Sequence, residues 1–122
     1  MPQPAFGIRG GDIDKNGVLW GSLSSGHLGS FDRRKCKGPL NGPKATGDHC
    51  PEGWTLHQYP GPGFKGLGKS SAEPSYYTWV DQHNTLGLGE DVPAWNFSVP
   101  GVTSISVPGG TCWKHLCPWT RR

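Results

Sequence analysis

Apolar residues along this chain come in short alternating runs separated by tight turns, and no stretch repeats every 3.6 residues as a helix would. The clearest run is Asp12-Ile-Asp-Lys-Asn-Gly-Val-Leu-Trp-Gly-Ser-Leu-Ser-Ser-Gly-His-Leu-Gly-Ser-Phe-Asp32. Asn16-Gly17 between apolar residues is a strong hairpin signal, because a two-residue turn of the favoured kind needs positive φ at both positions. Ile13 precedes this turn, and Val18, Leu19 and Trp20 follow it. Ser24-Ser25-Gly26-His27 supplies a second turn, again with glycine where a left-handed residue is wanted. Leu28 and Phe31 then make a third short strand, closed by Asp32. Turn signals every eight to twelve residues or so belong to sandwiches, barrels and propellers.

Further on, Trp54-Thr-Leu-His-Gln-Tyr59 alternates and stops at Pro60-Gly61-Pro62-Gly63. This pattern predicts a fourth, edge strand, with prolines that block further pairing. Pro74-Ser-Tyr-Tyr-Thr-Trp-Val-Asp81 is aromatic and β-branched. It predicts the opening of a second sheet, with a hairpin near Tyr76–Leu88. The two regions echo each other. Ile13-Asp14-Lys15-Asn16-Gly17-Val18-Leu19 matches Val80-Asp81-Gln82-His83-Asn84-Thr85-Leu86 in character, position for position, at an offset of 67 residues. A four-stranded propeller blade repeats at about 40–50 residues. The segment from Cys36 to Cys50, punctuated by Gly and Pro, supplies the excess as an insertion.

Composition agrees with a loop-rich, all-β chain. Gly 20 and Pro 12 make about a quarter of 122 residues, while six Trp, four Phe and three Tyr supply apolar area that a disordered chain lacks. The apolar share of 33% is low, so the chain has little surface to bury by itself. The expected fold is an all-β partial β-propeller of about one and a half blades. Residues 8–92 carry it, with the Cys-bounded insertion at 36–50. After Asp91 there is no Asp or Glu, and the blade pattern stops near Val92. Residues 93–122 are expected to be a divergent or non-native tail, although Val102-Thr-Ser-Ile-Ser-Val107 alternates as a strand does.

The net charge of +3 is concentrated in Arg33, Arg34, Lys35, Lys37 and Lys44. No aromatic residue is interleaved with them, as a stacking platform for single strands requires, so the cluster reads as a solvated loop and nucleic acid is not expected as a partner. Cys36 and Cys50 flank one loop, and closing it by a disulfide in an oxidising compartment would contribute about 3 kcal/mol. A thiolate metal site with His49 is the alternative, at a spacing that fits no zinc motif. Cys112 and Cys117, with His115 between them, have a spacing that fits a metal knuckle, a small disulfide loop or neither; the Cys pair would need two further ligands, so no metal or other cofactor is expected. No run of 18 apolar residues could span a membrane, and Met1-Pro-Gln-Pro-Ala-Phe-Gly7 has neither the basic head nor the apolar core of a signal peptide.

Asp14 to Trp20 and Gly26 to Asp32 carry a resemblance. Asp-x-x-Gly-x-Leu-Trp followed by Gly-x-Leu-Gly-x-Phe-Asp resembles the blade phrase of streptogramin B (virginiamycin B) lyase-like and NHL-like β-propellers. It also resembles the propeller region of large exported bacterial proteins of the carboxypeptidase-regulatory-like kind. The likeness covers roughly residues 8–92. It implies a fragment of a periplasmic or secreted propeller protein, without activity on its own because the lyase-type site draws on later blades. The alternative is a non-catalytic binding or scaffold propeller module. No catalytic residue is carried over: His83 falls in the slot of Asn16 and reads as a turn residue, as does His27. Open blade edges and unburied blade faces are expected to drive self-association, and the ligand is unknown.

Overall fold

The computed structural model describes residues 1–59, 76–99 and 102–106. Among these, the strands form two antiparallel meanders. β1 (Ile8–Ile13), β2 (Leu19–Leu23), β3 (His27–Phe31) and β4 (Trp54–Gln58) make a four-stranded sheet in chain order. β5 (Thr78–Asp81), β6 (Val92–Val99) and β7 (Val102–Ser106) make a three-stranded sheet, also in chain order. Helix among the described residues is confined to two short 3-10 turns, Arg33–Lys35 and Pro51–Gly53. The chain is therefore all-β, and the four strands expected between Gly10 and Pro60 are present. β6 begins at Val92, so the second sheet continues past the point where the blade phrase ends in the sequence.

The first turn differs from expectation in its geometry. Gly17 is left-handed at φ 77°, but Asn16 is not. A wider loop closes the hairpin, with Gly17 N–H donating to Asp14 O (3.0 Å) and Asp14 N–H to Val18 O (3.1 Å). The reason is the Asp14 side chain. Its carboxylate is buried and accepts from the N–H of Asn16 (2.9 Å), the N–H of Val18 (2.9 Å) and Trp20 Nε1 (3.0 Å). Such an Asx turn satisfies backbone donors that a two-residue turn would have paired.

The sequence echo is a structural one. Asp81 is fully buried, and its carboxylate accepts from the N–H of Thr85 (2.8 Å) and Leu86 (2.7 Å). The Asp81–Thr85 bond is the counterpart of Asp14–Val18. Asn84 stands where Gly17 stands and is left-handed as well, at φ 56°; Asn is the residue other than Gly that tolerates this region best. The hairpin expected near Tyr76–Leu88 is formed by β5 and β6, but with a longer loop, so that its second strand lies beyond Leu88. Ile13 pairs with Leu19, whereas Val80 pairs with Pro93, so a longer loop follows the second turn before β6 begins. That loop is organised by Asn84, whose side chain accepts from Gly89 N–H (2.8 Å).

Alternation of side chains along each strand gives each sheet two faces. In the first sheet, one face carries Asp12, Trp20, Ser22, Leu28, His57 and, just past β4, Tyr59. This inner face packs on the second sheet. Tyr59 stacks on Trp95 with ring centroids 5.5 Å apart, and Leu28 and Trp20 complete the core between the sheets. The interface has a polar seam beside this core. Val80 N–H donates to Asp12 Oδ2 (2.9 Å), Gln82 Nε2 to Ile13 O (2.7 Å), and Ser22 Oγ meets Thr78 Oγ1 (2.7 Å) and donates to Tyr77 O (3.2 Å). Lys15 joins the far loop through its N–H to Asp91 and its ammonium to Glu90.

β5 can approach β1 this closely because position 10 has no side chain. A Cβ on Gly10 would lie 2.4 Å from Tyr76 O and 2.9 Å from Tyr77 Cα, both backbone atoms that cannot swing aside. Gly10→Ala is therefore expected to destabilise the protein by about 1–3 kcal/mol through overpacking. The loss should be local: hydrogen exchange at the Val80 amide should speed up more than at the amides of β2 and β3. Equal protection at Val80 in the variant and the parent would contradict this account of the interface.

Candidate functional site

The residues singled out for chemistry fall in separate places. Cys36 and Cys50 are joined in a disulfide with Cα atoms 5.4 Å apart. The bond closes the long connection between β3 and β4, whose ends are also drawn together by Asp32 N–H donating to Gly53 O (2.9 Å). Lys37 N–H donates to Glu52 Oε1 (2.9 Å), and the Phe31 and Trp54 rings meet at 5.0 Å where the strands leave the insertion. The basic cluster sits on this connection. Arg34 is not free for a partner: its guanidinium grips Asp32 through Nε and Nη2, each at 2.9 Å. That bidentate bond holds the Asp32 carboxyl below the usual carboxylate range.

The histidines do not converge. His83 lies in the second turn, exposed, as expected. His27 does not lie in a turn. It is the first residue of β3, buried, with Nδ1 3.2 Å from Ser25 Oγ. His49 is exposed and left-handed beside Cys50. Cys112, His115 and Cys117 lie outside the described residues, as do Pro60 to Gly63. No group of three or more metal-ligating side chains occurs among the described residues. His57, on the inner face, sits against Trp20 (5.5 Å between centroids) and 3.4 Å from Ser30 Oγ. Burial lowers its pKa below the ordinary value of 6.5.

What the structure does assemble is a pair of apolar outer faces. The outer face of the first sheet carries the cross-strand row Ile13, Leu19, Phe31 and Trp54. Ile13 is 51% exposed, and the other three are half-buried. The outer face of the second sheet carries an open recess of about 180 Å³, lined by Tyr77, Trp79, Leu86, Ala94, Trp95 and Asn96. Tyr77 is 74% exposed and Trp79 46%. The lining is almost wholly apolar. Its wall at Leu86 is set by Asp81, whose carboxylate holds the Leu86 N–H. Burial pushes the Asp81 carboxyl up, but the bonds from Leu86 and Thr85 outweigh it, and its pKa lies below the usual value. Asp81 thus stays charged and keeps the loop in place.

The run Tyr76-Tyr77-Thr78-Trp79 signals a strand in the sequence. Which of its residues face away from the first sheet follows only once the Thr78 side chain is seen turned toward Ser22. The recess also needs Leu86 and Ala94, which no local pattern joins to Trp79.

Two measurements check this geometry. Because the His57 pKa is lowered on folding, the unfolded chain binds more protons near pH 6. Stability should be complete above about pH 6.5 and fall as the pH drops below it toward the folded pKa, and His57→Gln should flatten that part of the profile. Cys36→Ser should lower stability by about 3 kcal/mol, the cost of releasing a loop of this size, with a matching fall in thermal midpoint. A midpoint unchanged by the substitution would show that the loop ends are held by Asp32 and Glu52 alone. No family model matches the chain, and no curated protein or solved structure matches it significantly.

Proposed function

We propose that the chain is a β-propeller-type module of the binding or scaffold kind, which carries out no reaction by itself. The observation that carries this reading is that, among the described residues, each sheet carries large apolar side chains on the face turned away from the other sheet as well as in the core between them. A sheet in an ordinary two-layer sandwich buries one face and offers a polar face to water. Here the outer rows Ile13–Leu19–Phe31–Trp54 and Tyr77–Trp79–Ala94 are built like interior layers. Propeller blades have this property because each packs on a neighbour at both sides. The meander order of β1 to β4 and the repeated buried Asp14 and Asp81 support the same reading.

The streptogramin-lyase-like resemblance enters as kinship of architecture, since one architecture hosts many functions. In this proposal the partner is an apolar protein surface and not nucleic acid; the tie of Arg34 to Asp32 supports that choice. The Cys36–Cys50 disulfide supports an oxidising compartment, periplasmic or secreted.

An environment-sensitive apolar dye tests the reading. The folded chain should bind it, and Tyr77→Ser and Trp79→Ser should each reduce the bound fluorescence severalfold while moving the thermal midpoint by only a few degrees. A folded chain that binds no dye would overturn the proposal.

A further inference from the structure

We infer that the outer face of the second sheet is a docking surface for a second copy of this chain, which lays the outer face of its first sheet on it, head to tail. The inference rests on the module reading above and adds the partner and the direction of stacking. Its template is the contact already made inside the molecule. There, the first sheet offers the face of Asp12 and Trp20, and the second sheet offers the face of Thr78, Val80 and Trp95.

The echo between the sheets shows that these are two different faces of one repeated unit. With Asp14 matched to Asp81, Val80 corresponds to Ile13 and Thr78 to Gly11, which lie on the outer face of the first sheet. Trp79 corresponds to Asp12, which lies on its inner face. The internal contact is therefore heterologous: one face of the first unit meets the opposite face of the next. The parts of the outer faces left open, around Ile13 in the first sheet and around Tyr77 and Trp79 in the second, are the two halves of that same contact. The outer face of the second sheet repeats the role of the Asp12–Trp20 face, and the outer face of the first sheet repeats the role of the Val80 face.

The shapes and charges agree with this assignment. Trp20 pairs across from Asp12, and its counterpart across from Trp79 is Ala94. The small side chain leaves the recess bounded by Trp79 and Leu86. Ile13, exposed on the outer face of the first sheet, is the branched apolar side chain at the Val80 position. The row that would meet the recess, Ile13–Leu19–Phe31–Trp54, carries no charge. A heterologous contact of this kind closes into a ring or runs on as an open chain, and does not stop at a symmetric dimer. It uses sheet faces and leaves the strand edges out, and it gives the contact a direction.

Two half-blocked variants test it by sedimentation velocity. Ile13→Glu blocks the first-sheet face and leaves the recess intact. Trp79→Glu blocks the recess face and leaves the first-sheet face intact. Both sites are about half exposed, so both variants should keep the parent's far-ultraviolet circular dichroism and unfold cooperatively, with a thermal midpoint within a few degrees of it; Ile13→Lys and Tyr77→Glu stand in if either does not. The parent should grow past a dimer with concentration. Each variant alone should stay monomeric, its association weakened by about tenfold or more by the charge placed in the contact. An equimolar mixture should form a one-to-one heterodimer and nothing larger. A dimer of Ile13→Glu alone would mean a symmetric contact, and unchanged association of both variants would mean edge pairing; either overturns the inference. A parent that stays monomeric yet folds and binds apolar dye overturns it too and leaves the module reading standing. A parent without fixed near-ultraviolet dichroism overturns both.

Discussion

The approach of β5 to β1 is the contact from which the remaining arrangement follows. Gly10 lets one backbone lie almost against the other, and the Asp12 carboxylate then takes the Val80 N–H that points across the gap. Beside it the Thr78 hydroxyl meets Ser22, so Thr78 and Val80 face the first sheet and, by strand alternation, Tyr77 and Trp79 face away. The choice of which aromatic residues are buried and which face solvent is made there. An unpaired Val80 amide in this buried seam would cost about 1–3 kcal/mol, so Asp12 and Gly10 act as one unit.

The apolar core between the sheets is small: Leu28, Tyr59 and Trp95, with Trp20 against them. A core of that size leaves much of the organisation to polar groups held in place by backbone geometry. Asp14 and Asp81 do this at the two turns, each placed so that amide donors the turn would strand are satisfied. The disulfide does it for the insertion, by shortening the list of conformations open to the unfolded chain. Asp32 has a similar part at the start of the insertion, where Arg34 and the Gly53 carbonyl both fasten it. This pattern of a thin core with buried, fully bonded carboxylates suits a unit that relies on neighbours at its faces.

Much of the first sheet could be read from residues 12–32, because its strands are joined by short turns and short turns pair neighbours in order. The second sheet was legible in its first strand and its turn, where Asp81 and Asn84 repeat Asp14 and Gly17. The start of its second strand was not. The loop after Leu86 contains Gly87, Gly89 and a left-handed Asp91, and nothing local says where pairing resumes. The partner of Val80 is set by a contact thirteen residues away, with Pro93, and not by turn chemistry. His27 was misplaced for a related reason. Gly26 takes the left-handed position by itself, so the strand can begin one residue earlier, at His27.

By itself, the sequence determined the strand grammar, the all-β class, the repeated aspartate turns and the cysteines that close the insertion. Each of these is set by residues within a turn, a strand or a loop of each other, where chirality, side-chain period and loop closure act locally. Only the tertiary structure decided which face of each sheet meets the other, and so where the exposed aromatic recess lies. That choice depends on Gly10, Asp12 and Val80 meeting across nearly seventy residues of chain, a contact that no local pattern encodes.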